Sequence, residues 1–109
     1  MEKVIVTRHL ALLDYLEEKG VISSKDRADV VAHATLKDVR NKQVIGVLPN
    51  FLACEAGSLT EIPLKLTPED RGKELSLERI REVAGDPVTY IVIKVPEDST
   101  LSLMGRDTK

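Results

Sequence analysis

The chain has 109 residues, of which 42% are apolar and 31% charged, a balance typical of one folded domain with its own core. The net charge of −2 argues against a general nucleic-acid binder, and 3% aromatic residues argue against a base-stacking platform. The one cysteine, Cys54, fits a reducing compartment, and no apolar run approaches the length of a membrane span. We therefore expect a cytoplasmic protein that binds neither membranes nor long nucleic acids.

The segment from Lys3 to Gly20 predicts a strand that leads directly into a helix. Residues 4–6 are all β-branched, and this run is too short for a helix but typical of a buried strand. Between residues 10 and 16 the apolar side chains fall at helical spacing. Thr7 is expected to cap the amino end of this helix, and Gly20 to adopt the left-handed conformation beyond its carboxyl end.

The rest of the chain alternates short apolar runs with polar turns and short helical segments. Strands are predicted at 30–32, 43–48, 60–66 and 88–95, a helical turn within 35–42, and helices at 51–56 and from 76 to about 84. Strands that alternate with helices predict a small three-layer α/β domain with a mostly parallel sheet of about five strands. Residues 1–96 are expected to form this domain, with room for an antiparallel last strand, and residues 97–109 a polar C-terminal tail.

No standard catalytic motif is present in the sequence. The chain contains neither GxxxxGK[ST], GxGxxG, GxSxG nor HExxH. Its two histidines and one cysteine do not have the spacing of zinc ligands. The sequence therefore predicts no metal site and no other cofactor.

Polar residues follow three of the predicted strands at the point where each strand ends. Thr7, Arg8 and His9 follow the first strand, His33 the second and Asn50 the third. If these strands are parallel, the turns meet at one edge of the sheet, where α/β proteins bind ligands. An arginine beside free helix amides favours an anion there. On these grounds alone, the chain is an anion- or nucleotide-binding α/β domain.

Each candidate also has an ordinary structural interpretation. For His33 taken alone, a solvated turn residue is the favoured interpretation, and Asn50 alone is better explained as a helix cap. Arg71 and Glu74 can be a solvated pair of charges on a helix. Cys54 lies within an apolar helix face and is interpreted as a core residue.

Four segments carry a more specific resemblance. They are Val6-Thr7-Arg8-His9, Ala32-His33, the run from Val44 to Asn50, and the run from Arg71 to Ser76. Their order and spacing resemble a family of small CRISPR-associated accessory proteins of the Csx group, found beside type III systems. The resemblance covers about residues 3–83. The region from Gly85 onward, with its long last strand, carries no motif that maps to this family.

The resemblance implies both a fold and an activity. It implies a Rossmann-like domain similar to the nucleotide-sensing domains of type III effectors. The family is regarded as a group of candidate ring nucleases, which destroy cyclic oligoadenylate messengers. The resemblance therefore implies a homodimer with one cyclic tetra-adenylate bound across its two-fold axis. Cleavage would need no metal, because the ribose 2′-hydroxyl attacks the neighbouring phosphate and leaves a 2′,3′-cyclic phosphate.

The resemblance also implies roles for individual residues. Arg8 would neutralise the phosphorane, since its guanidinium can hold two phosphate oxygens at once. His9 or His33 would transfer protons, since an imidazole titrates near neutrality. Ligand contacts are expected from four further residues, Thr7, Asn50, Arg71 and Glu74. Of these, Arg71 and Glu74 would belong to a lid or to the dimer surface.

Two other functions are compatible with the same residues. A binding module could sequester the cyclic messenger without cutting it, using the same arginine and helix amides. An interaction protein could instead use the segment 69–74 as a docking surface. For a dimer, the apolar strand from Tyr90 to Val95 is a candidate interface, because it would otherwise be an unprotected edge.

Overall fold

A five-stranded sheet in the order β2-β1-β3-β4-β5 forms the centre of the computed structural model, which describes residues 2–96. Its strands are β1 Lys3–Val6, β2 Val30–Val31, β3 Gln43–Gly46, β4 Ser58–Glu61 and β5 Val88–Tyr90. The first four strands are parallel, and β5 pairs with β4 in the antiparallel direction. This confirms the predicted α/β fold with a mostly parallel sheet. The predicted tail at 97–109 lies outside the described residues.

Helices cover both faces of the sheet and complete the three layers. They are α1 Leu10–Glu18, α2 Leu36–Val39, α3 Asn50–Ala53 and α4 Leu77–Val83. On one face, Leu16 of α1 packs against Ile5 and Ile45 of the two central strands. On the other face, Val4 and Val44 pack against α2 and α3. The core therefore has one layer on each side of β1 and β3, as expected for a small Rossmann-like domain.

Helix α4 lies beside α1 rather than directly over the centre of the sheet. Its Ile80 is fully buried against Tyr15 of α1 and against Leu75, which precedes α4 in the chain. This contact pulls the polypeptide between β4 and α4 toward the amino end of α1. None of the helices within residues 2–96 is long and apolar enough to cross a membrane.

The amino end of α1 differs from the prediction. His9, not Thr7, is the residue that flanks the helix, and Thr7 lies two residues before it. The Thr7 hydroxyl instead accepts a hydrogen bond from the His9 backbone N–H at 3.1 Å. Thr7 therefore shapes the turn before the helix, a common role for a threonine hydroxyl. Gly20 has φ +76°, which confirms its predicted left-handed conformation.

Three strands end or begin at places that the sequence pattern did not predict. β3 stops at Gly46 rather than at residue 48, and β4 occupies 58–61 rather than 60–66, because Pro63 cannot donate a ladder hydrogen bond. β5 ends at Tyr90 rather than at residue 95. Tyr90 is opposite Leu59, the second residue of β4, so only Ser58 of the partner strand lies beyond this pair.

Candidate functional site

The carboxyl ends of β1, β2 and β3 border a cleft of about 380 Å³. The chain leaves β1 toward β2 and then crosses back to place β3 on the other side of β1, so the topology switches direction at β1. Open α/β sheets bind their ligands at such a point. Thirteen residues line the cleft: Val6, Thr7, Arg8, His9, Leu12, Leu16, Ala32, His33, Ile45, Gly46, Val47, Ile62 and Leu64.

Four of the polar residues singled out in the sequence line this cleft together. They are Thr7, Arg8 and His9 from the turn after β1 and His33 from the turn after β2. The two turns are joined because the Thr7 backbone N–H donates to the Val31 carbonyl at 3.1 Å. Parallel pairing of two short strands thus brings an arginine and two imidazoles to one opening.

The amino end of α1 faces this group of residues. His9 flanks the helix and, within residues 2–96, no side chain caps it; the first helical turn contains no acidic residue. The helix itself therefore supplies no acidic side chain to neutralise the partial positive charge of this end. Together with the exposed guanidinium of Arg8, it makes this side of the cleft attractive to an anion.

His9 contacts a residue from a distant part of the chain. Its Nδ1 atom lies 3.5 Å from Oε2 of Glu74, and both side chains are partly exposed. A carboxylate on Nδ1 favours the tautomer that carries a proton on this nitrogen and leaves Nε2 free to act. Glu74 does not line the cleft, so it can influence a bound ligand only through the orientation of the His9 imidazole.

The segment that carries Glu74 is anchored at both ends. On the amino side, Asp70 accepts two hydrogen bonds from Arg79, from Nε at 3.0 Å and from Nη2 at 2.9 Å. These bonds, and a further one from the Thr67 backbone N–H, lower the pKa of Asp70 well below its usual range. On the carboxyl side, Leu75 is buried against α1. The four exposed residues between these anchors, 71–74, are held beside the rim of the cleft.

Two of the residues predicted to bind ligand do not line the cleft. Asn50 begins α3 and lines a separate cavity of about 400 Å³ with Phe51, Cys54 and the segment 92–94. It lies apart because β3 ends four residues earlier and the intervening chain leads away from the β1 turn. Arg71 is exposed on the anchored segment and also lies outside the cleft lining.

Sequence reasoning missed the residue that forms the floor of the cleft. Gly46 has φ +143°, and a Cβ atom built there would lie 2.2 Å from the Val6 carbonyl oxygen. β1 and β3 can therefore approach each other at the cleft only because residue 46 has no side chain. A glycine inside a strand pattern is the signal that would have identified it.

A larger cavity of about 530 Å³ lies beside β1 and β2 and contains none of the predicted site residues. Four carboxylates and two lysines line it, so its charge does not favour an anion. Two of these, Asp26 and Asp38, already accept hydrogen bonds from the backbone N–H groups of Ser23 and Thr35. In the described part of the chain, no group of three His, Cys, Asp or Glu side chains is placed to hold a metal ion.

Comparison with known proteins places the chain in a family. No curated protein and no solved structure matches the chain. A family model does match, that of the family described as "Putative CRISPR-associated protein (Cas_VVA1548)", over residues 4–93. The matched region contains the whole cleft and also β5, which the motifs of the sequence left unassigned. The chain therefore belongs to this family and is a small CRISPR-associated accessory protein.

Proposed function

We propose that this protein is a ring nuclease of type III CRISPR defence, which binds cyclic tetra-adenylate and cleaves it without a metal ion. The observation that carries the proposal is the cleft at the switch in strand order, which gathers Arg8, His9 and His33 beside the amino end of α1. The family match supplies the CRISPR context and is compatible with a nucleotide messenger as the ligand.

The chemistry that fits these groups is an internal transesterification. The 2′-oxygen forms a bond to the adjacent phosphorus as the bond from phosphorus to the 5′-oxygen breaks, which gives a 2′,3′-cyclic phosphate and a 5′-hydroxyl. One imidazole accepts the 2′-hydroxyl proton and the other protonates the leaving oxygen. The Arg8 guanidinium stabilises the negative charge that develops on the phosphoryl oxygens.

In this mechanism His9 is the better-placed proton-transfer group. It lines the cleft, and its Nδ1 atom lies 3.5 Å from Oε2 of Glu74, which leaves Nε2 for the substrate. Glu74 is then a positioning residue rather than a ligand contact. Its segment also carries Arg71 and Lys73, two exposed cations that can approach a polyanion bound at the rim.

Ring binding by two copies of the chain follows from the size of the cleft. A volume of about 380 Å³ is at the small end for a ligand pocket, whereas the ring contains four nucleotides. Two clefts that face each other across a two-fold axis would enclose the ring more completely. Leu10 and Val47, which are 74% and 72% exposed at this edge of the sheet, would form part of such a contact.

Sequestration of the ring without cleavage is the second candidate. It is favoured by the environment of His33, which is exposed and which no side chain within residues 2–96 holds by a hydrogen bond or ion pair. An imidazole without an orienting partner is poorly prepared for proton transfer. Arg8 and the α1 amides would serve binding equally well.

One experiment separates these functions. Purified protein is incubated with radiolabelled cyclic tetra-adenylate in the presence and absence of a chelator, and the products and the retained label are measured. The proposal expects linear products with 2′,3′-cyclic phosphate ends at equal rates under both conditions. Retention of an intact ring would establish sequestration instead. Neither cleavage nor retention would contradict both candidates and favour an interaction protein.

A further inference from the structure

A further cavity, of about 370 Å³, adjoins the cleft at the carboxyl ends of β3 and β4. Three residues border both spaces, which therefore share one wall: Val47, Ile62 and Leu64. The remaining lining comes from the end of β4, the turn after it and β5, and consists of Glu61, Pro63, Val88 and Tyr90. We call this space the β4–β5 cavity. A ligand that extends past the shared wall leaves the cleft and enters the β4–β5 cavity.

In the part of the chain that the structure describes, Glu61 is the only charged residue that lines the β4–β5 cavity. It is the last residue of β4 and is half-buried. Within residues 2–96 its carboxylate makes no hydrogen bond and no ion pair. A carboxylate that is partly removed from water is unfavourable unless a donor is hydrogen-bonded to it. The cavity therefore offers an acceptor that lacks a donor, and the negative charge of this acceptor repels a phosphate.

Tyr90 is the aromatic side chain of this cavity and is 46% exposed. In the antiparallel pair, Glu61 lies opposite Val88, two residues before Tyr90, so all three side chains lie on the same face of the sheet. The chain has two further aromatic residues, Tyr15, which is buried, and Phe51, which lines the cavity beside α3. Among residues 2–96, Tyr90 is therefore the one ring next to the cleft on which a base can stack.

We infer that the β4–β5 cavity binds an adenine base of the cyclic ligand, an inference that rests on the proposed function. The phosphate lies beside Arg8 and the amino end of α1, and the base lies beyond the shared wall. Apolar side chains and the Tyr90 ring contact the faces of the purine, while the Glu61 carboxylate accepts a hydrogen bond from the exocyclic 6-amino group. The opposite charges of the two spaces fix the direction in which the nucleotide binds.

The 6-amino group is the feature of adenine that Glu61 recognises. In guanine and hypoxanthine a carbonyl oxygen occupies this position, and its lone pairs would face the carboxylate. In unsubstituted purine a hydrogen atom occupies it, so the hydrogen bond is absent. A site whose polar group loses its partner rejects such an analogue. Tyr90, in contrast, can stack on any base and adds affinity without selectivity.

Binding of two synthetic rings tests the role of Glu61. One is cyclic tetra-adenylate, and the other is the same ring with each 6-amino group replaced by hydrogen. Both are titrated into the His9→Ala chain, which should not cleave them. We expect the adenine ring to bind about ten-fold more tightly, because the other ring lacks a charge-assisted hydrogen bond.

Variants in the same His9→Ala background assign this preference to a residue. Glu61→Ala should abolish it while binding the 6-hydrogen ring at least as tightly as before, which also shows that the variant is folded. Glu2→Ala, which removes a carboxylate from the separate cavity beside β2, should keep the preference. Tyr90→Ala should weaken both rings by about ten-fold, and Tyr90→Phe, which keeps the ring, should bind both like the parent chain.

The outcomes separate this inference from the proposed function. Equal binding of the two rings by the His9→Ala chain, or an undiminished preference in Glu61→Ala, would overturn the inference and leave the proposed function intact. Failure to bind either ring would contradict the proposed function itself, and the inference with it.

Discussion

Arg8 and His9 are consecutive in the chain but have different surroundings. Arg8 is exposed beside the amino end of α1, where an anion is favoured, whereas His9 flanks that helix and contacts Glu74. A guanidinium is always charged and can hold two oxygens of one phosphate, while an imidazole can exchange a proton near neutrality. In the proposed mechanism, Arg8 therefore serves binding and charge stabilisation, and His9 serves proton transfer.

Alanine variants separate these two roles. Arg8→Ala should weaken binding of cyclic tetra-adenylate by roughly ten- to a hundred-fold, because charge-assisted hydrogen bonds of about 1.5–3 kcal/mol are lost. His9→Ala should leave the affinity nearly unchanged but reduce the single-turnover rate by roughly 10²–10⁴. Equilibrium binding and rapid-quench measurements check both. His33→Ala is the matched comparison and should have the smaller effect. If His9→Ala cleaves at the parent rate, the assignment of proton transfer to His9 is wrong.

Gly46→Ala tests whether the floor of the cleft depends on a missing side chain. The new Cβ would lie 2.2 Å from the Val6 carbonyl oxygen, so β1 and β3 would have to separate. Together with the positive φ, this should lower the free energy of unfolding by about 2–4 kcal/mol. Gly20→Ala is the control, because Gly20 also has a positive φ but has open space around it. Urea unfolding should show that Gly20→Ala lowers the free energy of unfolding by about 1–2 kcal/mol. Equal costs at both sites would contradict the proposed close approach.

At the scale of elements, three short turns are closed in the same way. An aspartate carboxylate accepts from the backbone N–H of a serine or threonine three residues earlier, at Ser23–Asp26, Thr35–Asp38 and Thr67–Asp70. Turns of three to six residues are too short to be stable from helix propensity. The carboxylate supplies a partner for a free amide and fixes where the chain turns. The third turn also begins the anchored segment that reaches His9.

Because of these three turns, we expect the free energy of unfolding to fall in acid. The pKa of Asp70 is lowered by Arg79 and then by the Thr67 amide, and the pKa values of Asp26 and Asp38 are lowered first by backbone amides. A folded-state pKa below the unfolded value stabilises the protein above the unfolded pKa, about 3.8, and this contribution disappears progressively at lower pH. Urea unfolding as a function of pH should therefore show a decline that begins near pH 4.

Asp70→Asn gives the matched comparison for this decline. The variant should be less stable than the parent at pH 7 and should lose less stability between pH 5 and pH 2. It should also reduce ring cleavage modestly, because Glu74 and Leu75 are held less firmly beside His9. A pH profile parallel to that of the parent would show that the Arg79 pair does not contribute to acid sensitivity.

At the scale of the whole molecule, strand direction decides which surfaces can work together. The cleft lies at the carboxyl edge of β1 to β3, and β5 lies at one end of the strand order. A contact at the carboxyl edge can join two clefts around one ligand, whereas antiparallel pairing of β5 with β5 would reverse the strands of the second copy and put its cleft on the opposite edge of the joint sheet. We therefore propose that two copies share a ring through the carboxyl edge of the sheet and not through β5.

Stoichiometry tests this division of surfaces. Isothermal titration of cyclic tetra-adenylate into a His9→Ala variant, which should bind without cleaving, is expected to give one ring for every two chains. Lys94→Glu in the same background should leave this ratio unchanged, because Lys94 lines the separate cavity beside α3 and not the cleft. One ring per chain would show that a single cleft suffices. A loss of the two-to-one ratio in the Lys94→Glu variant would show instead that the cavity beside α3 contributes to ring binding.

The elements that were predicted well are those with a local signal. The β-branched run at 4–6 and the helical spacing from Leu10 both act within a few residues, and the structure follows them. The ends of strands were predicted less well. β5 stops one residue before the end of β4, so nearly all of residues 91–95 lack a strand to pair with in spite of their strand propensity.

The sequence by itself determined the alternating strands and helices, the polar turns after β1 and β2, and the family to which the chain belongs. Only the tertiary structure decided which of the candidate residues meet. Periodicity and turn chemistry act between near neighbours, whereas the contact of His9 with Glu74 and the approach of Gly46 to Val6 depend on how distant segments pair and pack. Asn50 shows the same limit, because its position in the sequence did not predict its position in the structure. Its sequence position after β3 suggested the cleft, but three intervening residues carried it into a different cavity.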